Sequence, residues 1–261
     1  MKLIYCHTNF FERIIEHLDN SCVDFETFAF SIYIISKTIY NYEKFNVDLR
    51  LKLAKIIINV LEKLEEVQIK EIPKYFYEGF LKYINQIQIA LIGDLINDIV
   101  STPSLNIYLK LFSVDLKLIL VNFNSQNLEK RITSIKILNE ILHEIHQNEK
   151  KDFSTSYQKD EERIKNEWAA LRKKHVLEWL ERTKFFELIF GENIHEAVLK
   201  KSSIVIVFLY INDAISFEHI DFIWKLAQDK HEAVTAAILG IFSDLISSLS
   251  IDHAMVYYIY I

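Results

Sequence analysis

The residues able to do chemistry are few, and their spacing is wrong for most of it. A cysteine nucleophile needs a histidine to take its proton and a polar side chain to orient that histidine. The chain has 2 cysteines, Cys6 and Cys22. Asn20-Ser21-Cys22-Val23 leads straight into a helical pattern, and His253, in Asp252-His253-Ala254-Met255, has no flanking glycine. No β-rich pattern exists to hold a partner histidine. Two cysteines supply neither metal-ligand spacing nor a disulfide framework, so both read as small buried hydrophobes. His143-Glu144-Ile145-His146 is not the His-Glu-x-x-His of zinc proteases. Glu140-x-x-His143 and Glu192-x-x-His195 have the spacing of di-iron bundle pairs, which must face a core. Glu140 and His143 fall on the polar side of their helix, however, and Glu192 precedes one. There is no Gly-x-Gly or Gly-Lys-Ser/Thr phosphate loop. The reading is no catalytic residue, no metal ligand and no cofactor.

The elements that would position any site are helices. With 4 Gly and 2 Pro in 261 residues, the chain lacks the turn residues that an all-β or phosphate-loop α/β fold needs. Apolar residues make up 51% and charged residues 25%, a globular balance. Apolar positions step by three and four: Leu128, Ile132, Ile135, Leu138, Ile141, Leu142 and Ile145 share one face, with Lys130, Glu140, His143 and Glu144 opposite. Ile57, Val60, Leu61, Leu64 and Val67 repeat the pattern, as do Ile220, Ile223, Trp224 and Ala227. Thr102-Pro103 reads as a helix start, and Asn193 with Glu196 and Asp229 with Glu232 have capping-box spacing. Helices are expected over 9–18, 24–42, 48–67, 73–100, 103–112, 114–123, 126–146, 160–173, 175–190, 194–210, 217–228, 230–249 and 251–260.

Such a succession predicts an all-α, armadillo/HEAT-like solenoid of about ten to thirteen helices, with a compact irregular bundle as the alternative. No clean sequence period emerges. The polar stretch 148–160 is expected to be a loop dividing an N-terminal helical block, 1–147, from a C-terminal block, 161–261. The net charge of −6 disfavours nucleic acid as the main partner. Arg172-Lys173-Lys174-His175, beside Glu178, Glu181 and Arg182, reads as a solvated helix face. No uncharged apolar run reaches the roughly 18 residues of a membrane span, and no signal peptide is visible, so cytoplasm or nucleus is the expected location.

Several short motifs, in order, resemble one family. Asp221-Phe222-Ile223-Trp224 followed by Lys230-His231-Glu232-Ala233 is similar to the hallmark of the helical-repeat region of the large fat-facets-like ubiquitin-specific proteases. Phe185-Phe186-Glu187-Leu188-Ile189-Phe190-Gly191-Glu192-Asn193-Ile194-His195, the Trp179 segment His175–Leu180, and Phe123–Arg131 with Leu138-Asn139-Glu140 resemble other segments of that region. The resemblance covers about 115–249, and residues 1–110 carry no match. It implies a non-catalytic helical platform that selects protein partners or substrates for deubiquitination, the protease domain lying elsewhere. The family's nucleophile sits in Gly-Asn-Thr-Cys-Tyr, which Asn20–Val23 does not reproduce.

Within that platform Trp224, with Ile220, Ile223 and Ala227, is expected to be a core anchor. Asp229 would cap the next helix, Lys230, His231 and Glu232 would open it, and Gly240 with Ala236 and Ala237 would let it approach a neighbour closely. Two other readings stand beside this one: a helical adaptor unrelated to ubiquitin, and a helical enzyme with an unrecognised pocket. The apolar run 254–261 has no polar cap, so the chain is expected to be a piece of a larger polypeptide or to pack on something further.

Overall fold

The computed structural model describes residues 103–149, 159–191, 194–228 and 230–248, together with Lys55, Ile58, Ile69 and Lys70. Among the described residues all regular structure is helical, in seven helices: α1 Pro103–Phe123, α2 Leu128–Glu149, α3 Lys159–Arg182, α4 Phe185–Ile189, α5 Glu196–Ile211, α6 Phe217–Gln228 and α7 Glu232–Ser248. The helices expected over 9–100 and 251–260, and most of the polar stretch 148–160, fall outside the described residues. The chain divides into two compact units, Met1–Asn122 and Phe123–Ile261. In the first, α1 is buried nearly all round from Tyr108 to Asn122.

In the second unit α5 is the hub. It packs on α2 and on α7; α2 packs on α3, α6 on α7, and the short α4 on both α3 and α5. The reason lies in its sequence: Val198, Leu199, Val205, Ile206, Phe208 and Leu209 occupy about half its circumference and are all buried. Each such side chain stabilises the unit by roughly 2 kcal/mol. Ser202, in the middle of that face, donates its hydroxyl to Val198 O at 2.9 Å and so buries no open polar group.

Two expected breaks are absent. Residues 103–112 and 114–123 form one helix, because Ser113 turns its hydroxyl back onto Leu109 O at 2.8 Å and leaves the helix ladder intact. The break expected at residue 174 falls at Thr183-Lys184 instead. Arg172, Lys173 and Lys174 are good helix formers. The chain turns only where Lys184 enters the left-handed region at φ 51° and Thr183 donates to Trp179 O at 2.8 Å. Behind this turn Trp179, Phe185 and Phe123 cluster, with ring centres 5.2 and 4.7 Å apart along the chain of contacts.

The cluster at 172–175 is only partly the expected solvated face: Lys174 is exposed, beside the exposed Glu178, Glu181 and Arg182, but Arg172 is not. Arg172 is buried on α3, and its guanidinium meets Glu144 of α2 at 3.3 Å. Lys130, assigned to the polar side of α2, is 7% exposed, and burial lowers its pKa. The Arg172 side chain crosses from α3 to α2, and neither burial shows on a simple amphipathic wheel. His175 is half-buried, and burial holds its imidazole below the ordinary histidine range. Glu178 opposes that shift and Arg182 adds to it.

Two outcomes follow. Phe185→Ala should lower unfolding free energy by about 3–5 kcal/mol in urea denaturation, because its ring is fully enclosed. For His175, the unfolded chain binds more protons between the lowered folded value and the ordinary 6.5. Stability is therefore full above that value and falls as pH drops through the window. The urea midpoint should decline more steeply from about pH 8 to about pH 5 in the parent than in His175→Gln; equal slopes would remove the assignment.

Candidate protein-docking groove

The second unit contains an internal repeat. His195-Glu196-Ala197-Val198 opens α5, and His231-Glu232-Ala233-Val234 opens α7, 36 residues later. The two starts are built alike. Ala197 N–H donates to His195 Nδ1 at 3.1 Å, and Ala233 N–H donates to His231 Nδ1 at 3.3 Å. In each case the histidine carbonyl accepts from the two amides three and four residues on, at 2.9–3.1 Å. An imidazole acceptor thus takes the place of the usual Ser or Asp cap. Buried positions also correspond: Ser202, Val205, Ile206 and Leu209 in α5, Ile238, Ile241, Phe242 and Leu245 in α7.

These caps correct two expectations. The amide opening α7 goes to His231, while Asp229 lies outside the described residues; the amide opening α5 goes to His195, while Asn193 and Glu192 lie outside them. Glu196 instead faces Lys200 at 3.7 Å on the exposed surface. Glu232 and Lys230 are exposed. The repeated His-Glu-Ala-Val was visible in the sequence and was the missed signal. It hides because α3 and α4 do not share the period.

The remaining motif residues separate into core and surface. Trp179 and Ile223 are buried at 4% and 0% exposure. Trp224 is not a buried anchor: it is 36% exposed, edge-on to Phe242 with ring centres 5.6 Å apart. At 100° per residue it lies about 70° round from the middle of the Ile220, Ile223, Ala227 stripe, on its flank. Asp221 pairs with Lys225 one turn on, at 2.7 Å and well exposed, which contributes little. Gly191 ends α4 where an added Cβ would sit 3.1 Å from Glu187 O. Gly240 admits no close neighbour, contrary to expectation: a Cβ there meets nothing within 4 Å.

One recess of the unit lies across α2, α5 and α7. Ile204, Val207 and Ile211 of α5 form its floor, Leu142, His143 and His146 of α2 one wall, and Asp244 and Ser247 of α7 the other, around about 470 Å³. Ile204 and Ile211 are 45% and 41% exposed. His143 lies 2.6 Å from Gln147 through its Nε2. A second recess of about 670 Å³, between α3, α4, the 212–215 turn and α6, has Leu177, Phe186 and Ile215 inside and Lys174, Glu178 and Glu187 around. At the edge of the second recess the Ser216 hydroxyl lies 2.9 Å from His219 Nδ1, but the same nitrogen accepts from Ser216 N–H at 3.1 Å, a local contact at the start of α6; Cys6, Cys22 and His253 lie outside the described residues. No group of three or more metal-binding side chains occurs among the described residues, and none of their helices is long and apolar enough to cross a membrane. An apolar floor with a sparse polar rim suits the burial of a partner's side chains.

Residues 109–255, more than half of the chain, match the family described as UBP24/USP9X/USP9Y ARM repeat. The chain belongs to this family. Its fold is the all-α armadillo type that the helix rhythm suggested. The chain is 36% identical to human ubiquitin carboxyl-terminal hydrolase 34 over 76 residues, 29% of this chain and 2% of that protein. It is 31% identical over 80 residues to Drosophila melanogaster ubiquitin carboxyl-terminal hydrolase puf, 31% of this chain and again 2% of the relative. The chain thus spans about one-fiftieth of the curated relatives it matches. No solved structure matches it significantly. It is an ARM-repeat region related to ubiquitin-specific proteases.

The two glycines should respond oppositely. Gly191→Ala should destabilise by about 1 kcal/mol through the clash with a fixed carbonyl. Gly240→Ala should stabilise by about 0.5–1 kcal/mol, since Gly240 lies mid-helix with open space around it. Paired thermal melts test both signs.

Proposed function

We propose that this chain is a non-catalytic scaffold of a ubiquitin-specific protease, and that it docks a protein substrate or adaptor in the α2–α5–α7 groove. The observation that carries this reading is the ARM-family match over the helices whose exposed Ile204 and Ile211 line the groove. Branched apolar side chains so exposed beside a concave wall are a poor choice for a free surface and a good one for an interface. The deubiquitinating chemistry belongs to a separate protease domain, and the scaffold acts by holding the target near it, in the cytoplasm or nucleus. Nucleic acid and membrane have no place in this reading.

The test has two arms. Proximity labelling in cells, with the full chain fused to a biotin ligase, should mark a set of proteins that Ile204→Glu/Ile211→Glu loses while its circular dichroism is unchanged. An identical set from both would exclude the groove. The chain alone should neither cleave ubiquitin–aminomethylcoumarin nor react with a ubiquitin vinyl sulfone; labelling at Cys22 would overturn the scaffold reading.

A further inference from the structure

The second recess differs from the groove in charge, and no described residue lines both. Leu177 of α3, Phe186 of α4 and Ile215 of the turn before α6 make it apolar inside. Phe222 of α6, 46% exposed with its ring centre 6.4 Å from that of Phe186, prolongs this apolar surface. Among the described residues, the carboxylates of Glu178, Glu181, Glu187 and Asp213 line the recess against two lysines, Lys173 and Lys174. Both lysines are already engaged: Lys174 faces Glu178 at 3.9 Å, and Lys173 has a contact of its own. Glu181, Glu187 and Asp213 are exposed and have no ion-pair partner within 4.0 Å. Two helix C-termini also end at this recess. Glu181 is in the last turn of α3, and Asp213 comes two residues after the end of α5. The partial negative charge of a helix C-terminus favours a cation there, not a carboxylate. Arg182, the basic residue of the last α3 turn, does not line the recess.

We propose that this recess docks a segment of a partner protein in which a large apolar side chain is flanked by lysine or arginine. The apolar side chain enters beside Leu177 and Phe186, and the cations meet Glu181, Glu187 and Asp213. A cation placed there gains the unpaired carboxylates and the two helix ends together. Lysine and arginine suit the site further, because their stems are apolar and only the tip is charged. The α2–α5–α7 groove offers no such match: Asp244 is the one carboxylate among its described lining residues. The assignment therefore stands whether or not that groove is occupied.

The experiment selects random peptides displayed on phage against the immobilised full chain, then measures the enriched peptides by fluorescence anisotropy. Enriched sequences should place lysine or arginine next to a large apolar residue. Glu181→Lys/Glu187→Lys should weaken their binding about tenfold or more with circular dichroism unchanged, and binding to the parent should weaken as salt rises. Glu181→Gln/Glu187→Gln should weaken it in the same direction by less, and is the deciding readout if the reversal disturbs the fold. Ile204→Glu/Ile211→Glu should leave it unchanged. No enrichment, enrichment of acidic or uncharged peptides, or affinity that survives both charge variants overturns the proposal. So does affinity lost with the Ile204 and Ile211 pair instead, which would assign the peptides to the groove. A dimer of the full chain that the charge reversal dissolves also overturns it, since the recess would then take a second copy.

Discussion

The second unit depends on one helix being apolar over half its girth. α5 meets α2 on one side and α7 on the other, and α4 touches it as well. An amphipathic helix with a narrow stripe has only one partner surface. The wide arc from Val198 to Leu209 instead makes α5 an internal wall that both neighbours share. The cost is that its remaining apolar positions, Ile204 and Ile211, face outward. The groove is therefore a by-product of a helix too apolar to be fully covered by two neighbours.

Polar groups are placed to keep that wall intact. Ser202 and Ser134, both buried, return their hydroxyls to the carbonyl one turn back. Thr235 donates to Ala227 O at 2.8 Å and ties the start of α7 to the end of α6. Helix ends are closed locally as well: at the α5 terminus Ala214 N–H reaches back to Leu209 O and Asp213 N–H to Tyr210 O, the pairing of a Schellman turn. The packing of helices thus rests on dispersion and burial, and hydrogen bonds mostly finish each helix separately.

Much of this was legible beforehand, for identifiable reasons. The α2 stripe, the 217–228 helix and the family motifs follow from a 3.6-residue period and from residue order, both local properties. What escaped was non-local. Arg172 and Lys130 are charged, and their burial is a property of the folded surroundings that their own helix pattern does not carry. Trp224 is a large aromatic at the edge of a stripe, where a wheel cannot distinguish flank from core. The histidine caps escaped because imidazole is an uncommon cap, although the repeated tetrapeptide was in plain view.

The left-handed turns carry a further consequence. Lys184 and Asp213 hold φ values of 51° and 55° without being glycine. A chain with 4 glycines in 261 residues makes sharp helix exits from ordinary residues. Each exit holds roughly 1 kcal/mol of backbone strain that glycine would relieve. The unit is thus held below its attainable stability at two of its corners, the exits of α3 and α5. A lysine or an aspartate has fewer backbone states open to it than glycine would have, so the residue that costs stability at each corner also narrows the direction in which the next helix leaves.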